Sequence, residues 1–134
     1  MRKLAIPAAA VLVALAGSSP GQAASTFVTG TVIEVFVDST VNNNPPETVF
    51  FKFQPAAGQQ ALTTGCTQGS TTTAGTAEIF EFEPASVTDA QTRKDMLTLL
   101  FAARTSGMTA EVAYDNAGAF CGTAGFAVPI NLGL

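Results

Sequence analysis

The feature that most constrains the fold of this chain is the order of its periodic segments. Residues 48–54, 78–83 and 109–115 alternate apolar and polar side chains, which is typical of strands with one buried face. Residues 27–37 are rich in Val, Ile, Phe and Thr, which favours a long strand. A last alternating segment at 126–132 predicts a fifth strand, whose Pro129 lacks an N–H to pair.

One segment has helical rather than alternating periodicity. Met96, Leu97, Leu100, Phe101 and Ala103 fall on one face at helical spacing, which predicts an amphipathic helix over 88–106. Thr88 and Gln91 match a capping box, and Ser86 is a competing cap. Gly107 suits the residue after the helix, because glycine tolerates left-handed dihedral angles.

Three strands, one helix and two strands is the order of the OB-fold, a five-stranded, partly open Greek-key barrel. We therefore expect a mainly β fold, an OB-like five-stranded Greek-key barrel with one α-helix between strands 3 and 4. A small β-sandwich, or a sheet with one helix across it, would produce the same order of elements.

The first 23 residues have the pattern of a cleavable export signal. Arg2 and Lys3 precede an apolar run over 4–16, and Gly21 and Ala23 supply small residues at a cleavage site. The run is shorter than the ~20 residues of a membrane-spanning helix. We expect a signal peptide at 1–23, a single domain at 24–134, and a secreted or periplasmic protein with no membrane segment after cleavage.

Cys66 and Cys121 are the only two cysteines of the chain. An even pair in an exported protein predicts a disulfide, because an oxidising compartment lets the bond persist. Two free thiols are the alternative.

Charge excludes one class of partner. Without Arg2 and Lys3, four cations face ten carboxylates, which leaves a net charge of −6. Nucleic-acid binding draws its affinity from clustered Lys and Arg, and these four cations are scattered along the sequence. We expect no nucleic-acid partner and no attraction to anionic membrane surfaces.

A family resemblance rests on the order of these elements. An extended first strand, Cys66 after strand two, the helix segment at 95–103, then Gly107, the segment at 111–114 and Cys121, resemble the small exported OB-fold proteins related to the subtilase cytotoxin B subunit. The resemblance covers roughly 31–132 and implies an OB fold. Toxin members of that family form pentameric rings and bind sialylated glycans, which implies a homo-oligomeric ring and a glycan partner here.

Catalytic chemistry is poorly represented in the chain. It has no His, which removes the common nucleophilic triads and the usual zinc sites, and it has no CxxC motif. Glu81 and Glu83 could form a glycosidase pair, but their alternation with two Phe residues favours the solvated face of a strand. Asp115 and Asn116 could form a calcium corner, but a hairpin turn fits better. We predict no enzyme, no metal and no cofactor.

Ligands of OB-folds meet strands 2 and 3 and the loops after strands 1 and 4. The corresponding loops are 39–47 and 115–118. The candidate ligand-binding residues are therefore the amides Asn42, Asn43 and Asn44, the ring of Phe50 on the polar parity of strand 2, and Asp115 and Asn116. A flexible polar loop and a buried ring are the alternative interpretation.

These observations predict an exported, non-catalytic binding module that recognises a glycan in the manner of an AB-toxin B subunit. The alternative is a monomeric periplasmic or envelope protein that binds another exported protein and has no enzymatic activity.

Overall fold

The computed structural model describes residues 25–38, 47–70 and 73–134. The predicted signal peptide and the three asparagines at 42–44 lie outside these residues. The elements are β1 (Ser25–Asp38), β2 (Thr48–Pro55), β3 (Glu78–Phe82), α1 (Ala90–Ser106), β4 (Thr109–Asp115) and β5 (Asn131–Gly133). The mainly β class and the place of the helix between the third and fourth strands are confirmed.

The strands form one antiparallel sheet in the spatial order β3-β2-β1-β4-β5. β1 is long enough to serve two neighbours: residues 25–31 pair with β4, and residues 30–38 pair with β2. Between β3 and the chain that precedes β5, the described residues form only an isolated parallel bridge, Phe80 with Ala127. The described sheet is therefore open.

A β-bulge reverses the faces of β1. The register with β2 shifts between Val32 and Glu34, which makes Ile33 an extra residue on β1. Val32 is buried before the bulge, and Val35 packs against the core after it. This one-residue slip explains why apolar residues occupy both parities of β1, and it turns Phe36 to the sheet face away from the core. We call that face the outer face.

The core lies on the inner face of the sheet and is rich in phenylalanine. Phe51 of β2 and Phe80 of β3 are fully buried, and their rings stack at 5.3 Å between centroids. Tyr114 of β4 meets the Phe80 ring at 5.7 Å with its edge. The inward residues predicted for β2, β3 and β4 are confirmed.

The helix buries Met96, Leu100 and Ala103 against the sheet. Phe101 was expected on this face, but 49% of it is exposed, because the sheet covers a narrower stripe of the helix than the sequence predicted. Gly107 ends the helix in the left-handed conformation at φ 67°, as predicted, and its N–H donates to the Ala103 carbonyl.

The predicted capping box is wrong by one residue, because Asp89 caps the helix. Its Oδ1 accepts hydrogen bonds from the Thr92 N–H at 2.7 Å and the Thr92 hydroxyl at 2.6 Å. Gln91 donates instead to Asp95, and Ser86 bonds to both backbone groups of Glu83. The hydroxyl and N–H of Thr92 hold the pKa of Asp89 below its ordinary value.

Replacing Asp89 by alanine should therefore lower the melting temperature by about 4 °C, because the helix loses its N-terminal acceptor. The matched control is Asp95→Ala, which removes the same charge from the second turn of the helix. Equal melting temperatures for the two variants would contradict the assigned cap. Differential scanning calorimetry at neutral pH measures both.

The last predicted strand is much shorter than expected. Only Asn131–Gly133 pair with β4, whereas 126–132 were predicted as a strand. The Val128 N–H donates to the Phe120 carbonyl, and Pro129 has no N–H, so the segment cannot form a continuous ladder. Val128 and Pro129 are both buried, which breaks the expected alternation of faces.

Candidate functional site

A disulfide joins the two long connections of the fold. Cys66 follows β2 and Cys121 follows β4, and their sulfur atoms are 2.02 Å apart. The predicted pairing is confirmed. The bond ties the chain between β4 and β5, residues 116–130, to the chain between β2 and β3. We call residues 116–130 the covering loop, because it lies over part of the outer face.

Two buried carboxylates hold the covering loop to the sheet. Glu83 Oε1 accepts from the Thr123 N–H at 2.8 Å and from the Thr123 hydroxyl at 2.5 Å. Glu81 Oε1 accepts from the N–H groups of Gly125 at 3.2 Å and Phe126 at 3.3 Å. Both glutamates are at most 2% exposed, so their predicted place on a solvated face is wrong. The covering loop, whose Thr123 lies 40 residues after Glu83, shields both carboxylates from solvent.

Burial changes the protonation of Glu81. Loss of solvent raises the pKa of Glu81 to about 7, and the neighbouring charge of Glu83 adds to the effect, while backbone N–H donors oppose it. Among the described residues, the Oε2 atoms of both side chains are buried without a hydrogen-bond partner. The pair lies beneath the loop and has no open surface for a sugar bond, so its geometry suits anchoring rather than glycoside hydrolysis.

Three phenylalanine rings form a continuous row on the outer face. Phe36 of β1 stacks on Phe50 of β2 with 5.1 Å between centroids and 16° between planes. Phe126 of the covering loop meets Phe50 edge-on, at 5.9 Å and 84°. We call Phe36, Phe50 and Phe126 the aromatic row. At one end of the row, the Phe126 N–H is hydrogen-bonded to Glu81. At the other end, the ring of Phe36 is exposed to solvent.

Phe50 was predicted to offer an exposed ring, and this is wrong. Only 5% of Phe50 is exposed: Phe36 stacks on its ring, and Phe126 makes an edge contact with it. The exposed ring is its cross-strand partner Phe36, of which 40% is accessible. The outer-face position of Phe50 follows from its parity in β2, but the identity of the exposed ring depends on the bulge at Ile33.

Charged groups lie beside the aromatic row. Glu34 and Lys52 are cross-strand partners, two residues from Phe36 and Phe50 respectively, and therefore share the outer face. Glu34 is exposed and Lys52 is half-buried. The exposed ring of Phe36 thus has one carboxylate and one ammonium group on the same face of the sheet.

Asp115 and Asn116 lie at the other end of β1. Asp115 pairs with Ser25, whereas Phe36 lies two residues from the opposite end of the strand. Asp115 is buried, and its two carboxylate oxygens accept from the N–H groups of Ala117, at 3.2 Å, and Ala119. These bonds support a turn rather than a calcium corner, but β5 begins only at Asn131, so the turn does not join two strands as the predicted hairpin would. The structure does not bring Asp115 and Asn116 together with Phe50.

Sequence reasoning missed Phe36 and Phe126 as members of the site. The sequence did contain a signal for Phe36. Apolar residues occupy both alternating positions of β1, and a one-residue bulge explains this pattern. We found no signal in the sequence for the burial of the two carboxylates. In the structure a Cβ atom at Gly122 would overlap the Glu81 carboxylate, so a side chain there would not fit.

Two further features of the described residues bear on the site. No helix in 25–38, 47–70 and 73–134 is long and apolar enough to cross a membrane. The same residues contain no group of three or more His, Cys, Asp or Glu that could hold a metal ion. In comparisons with known proteins, no family model, no curated protein and no solved structure matches this chain.

Proposed function

We propose that this chain is an exported, non-catalytic binding module that recognises a glycan on the outer face of its sheet. The observation that carries the proposal is the ring of Phe36, which is 40% exposed and stacked on a buried ring. Flat aromatic surfaces beside polar groups suit sugars, because a sugar ring presents an apolar C–H face and a rim of hydroxyl groups.

The aromatic row is organised before any ligand binds. Phe36 lies in β1, which is paired with β2. The ring of Phe50, on which Phe36 stacks, is also in contact with the ring of Phe126. Phe126 is in turn held by the Glu81 carboxylate, which accepts its N–H. A binding surface that is already ordered loses little conformational entropy when the ligand arrives, which favours affinity.

The proposal includes an OB-like barrel as the architecture. The element order supports it. The sheet order also supports it, because β3 and β5 are the edge strands whose pairing would close the barrel. The isolated bridge between Phe80 and Ala127 lies where a ladder would close such a barrel. In an OB-fold the strand 2–3 face and the loop after strand 4 are the ligand-binding parts, which are the parts that supply Phe50 and Phe126.

Non-catalytic recognition is favoured by the chemistry of the site. The chain has no His, and the acid pair nearest the aromatic row is covered by its own loop. The resemblance to subtilase cytotoxin B subunits extends the proposal to a ring of identical subunits, because several weak sugar sites on one particle bind a glycan-bearing surface with high avidity.

Phe36→Ala should weaken binding to the best glycan of a sialylated and neutral oligosaccharide panel by about tenfold, because the stacking ring is lost. Phe101→Ala is the matched control, since it removes an exposed ring of 49% accessibility from the helix. Phe36→Tyr keeps the ring and should retain the affinity. Isothermal titration calorimetry on the oxidised protein measures all three.

The proposal fails if no glycan of the panel binds. It also fails if Phe36→Ala binds as tightly as Phe101→Ala. Melting temperatures of the variants separate a lost contact from a lost fold.

A second candidate function is binding to another exported protein. The specific observation is a cleft of about 340 Å³ between the start of α1 and the covering loop, with Phe120 and Ile130 exposed at 50% and 45%. Exposed apolar side chains around a cleft are typical of protein-interaction surfaces. Light scattering distinguishes the two: a ring supports multivalent glycan binding, and a strict monomer favours the protein partner.

A further inference from the structure

A second cleft lies on the inner face of the sheet, opposite the aromatic row. It is bounded by α1 and the adjoining ends of β1, β2 and β3. Its volume is about 440 Å³, which is within the range of small-molecule sites. Val37, Val49, Phe82 and Leu97 give it an apolar lining. Val37 is 50% exposed although it faces inward, so the cleft is open to solvent at this end.

The cleft concentrates the few cations of an acidic chain. Beyond the predicted signal peptide the chain has four, Lys52, Arg93, Lys94 and Arg104, and two of them line this cleft. Glu47 is the one carboxylate among its lining residues. Without the predicted signal peptide the net charge is −6, and this acidic chain places two cations and one carboxylate beside an apolar surface. The Asp89 carboxylate at the start of α1 also interacts with Arg93.

Arg93 is fixed in position by the fold. Its Nη1 donates to the carbonyl groups of Val87 at 2.7 Å and Thr88 at 3.0 Å, and its side chain is 17% exposed. Its Nη2 lies 3.9 Å from Glu47 Oε2. The second terminal nitrogen of the guanidinium therefore faces a carboxylate, the group whose planar shape a guanidinium matches best.

Glu47 is a weakly held partner for this arginine. Its side chain is 74% exposed, and an exposed ion pair at this distance contributes little stability. Glu47 also has φ 73°, a left-handed conformation that non-glycine residues rarely adopt. The carboxylate that faces Arg93 is thus exposed and weakly held, so another carboxylate can compete with it for the arginine.

We propose that this cleft binds a medium-chain aliphatic carboxylate. The alkyl chain lies along the apolar lining, and the carboxylate displaces Glu47 from Arg93 and interacts with Lys94. Carboxylate is the head group because Arg93 already faces one. The cleft is separate from the aromatic row, since its strand residues face inward whereas the row faces outward. The two proposals can therefore fail independently.

Octanoate is the probe, with octanol and octyltrimethylammonium as neutral and cationic probes of equal chain length. The oxidised protein should bind octanoate, with shifts of the Leu97 and Val49 methyl signals, and should bind the other two at least tenfold more weakly. Lys94→Gln should weaken octanoate binding about fivefold, because one cation is lost. Glu47→Gln should tighten it several-fold, because the competing carboxylate is gone.

Arg104→Gln is the matched control, since it removes one positive charge from the last turn of the same helix, away from the cleft. It should leave octanoate binding unchanged. The proposal is overturned if octanoate fails to bind, if octanol binds as well, or if Arg104→Gln weakens binding as much as Lys94→Gln. Unchanged affinity in Glu47→Gln would overturn the displacement of Glu47.

Discussion

Replacing Cys66 and Cys121 together by alanine should lower the free energy of unfolding by about 4 kcal/mol. The two cysteines are 55 residues apart, so the bond removes much of the freedom of the unfolded chain. A domain of this size has ~5–15 kcal/mol in total, so the variant should be only marginally stable.

Urea denaturation of the oxidised protein, the reduced protein and the double variant measures this effect. The reduced protein and the variant should unfold at the same, lower urea concentration, and a reductant should not affect the variant. If the oxidised and reduced proteins have the same midpoint, the disulfide does not stabilise the fold as argued.

Glu81→Gln should raise the free energy of unfolding at pH 8 by about 2 kcal/mol and have little effect at pH 4. The folded pKa is about 7, against 4.5 for a free glutamate. The full shift corresponds to ~3 kcal/mol. Part of this is offset because the NH2 group of the glutamine would be buried where Oε2 has no hydrogen-bond partner among the described residues. The amide keeps an oxygen for the N–H groups of Gly125 and Phe126 and removes the buried charge.

The direction of the pH dependence follows from proton binding. Between pH 4.5 and about 7 the folded state retains a proton on Glu81 that the unfolded state has released, so the stability of the natural chain should fall as pH rises through this window. Below pH 4.5 both states carry the proton, and the stabilisation is complete.

Urea midpoints at pH 4, 6 and 8 measure this dependence. Glu111→Gln is the control, because it removes the same charge from an exposed position on β4. A natural chain as stable at pH 8 as at pH 4, or a Glu81→Gln variant with unchanged stability at pH 8, would contradict the buried charge.

The covering loop connects these two predictions to the proposed binding site. The disulfide and the Glu81 and Glu83 carboxylates all fix this loop, and the loop carries Phe126 against Phe50. Changes that loosen the loop should therefore disturb the support beneath Phe36. If Phe36 is the binding ring, as proposed, we expect stability and recognition to be coupled through this one segment.

The parts of the fold that the sequence predicts are those set by local periodicity. β2 and β4 have one strongly apolar face, and α1 has a regular apolar stripe, so each appears within a few residues of its predicted bounds. The disulfide follows from the presence of just two cysteines. These inferences do not require knowledge of the tertiary contacts.

The missed features depend on contacts distant in sequence. Alternation places Glu81 and Glu83 correctly on the face opposite the core, but their burial depends on a loop that begins more than 30 residues later. Phe50 was placed on the correct face, yet a bulge in another strand decides that Phe36 covers it. Residues 126–130 have the alternation of a strand but form no ladder with β4. Pro129 has no N–H to donate, and the Val128 N–H donates to Phe120 instead.

The most direct test of the central claim is a chemical-shift map of the oxidised protein titrated with the tightest-binding oligosaccharide of the panel. Recognition on the outer face predicts that the largest changes occur at Phe36, Phe50 and their neighbours Glu34 and Lys52, with α1 unaffected. Changes confined to α1 or to the turn at Asp115 and Asn116, or no saturable change with any glycan, would contradict it.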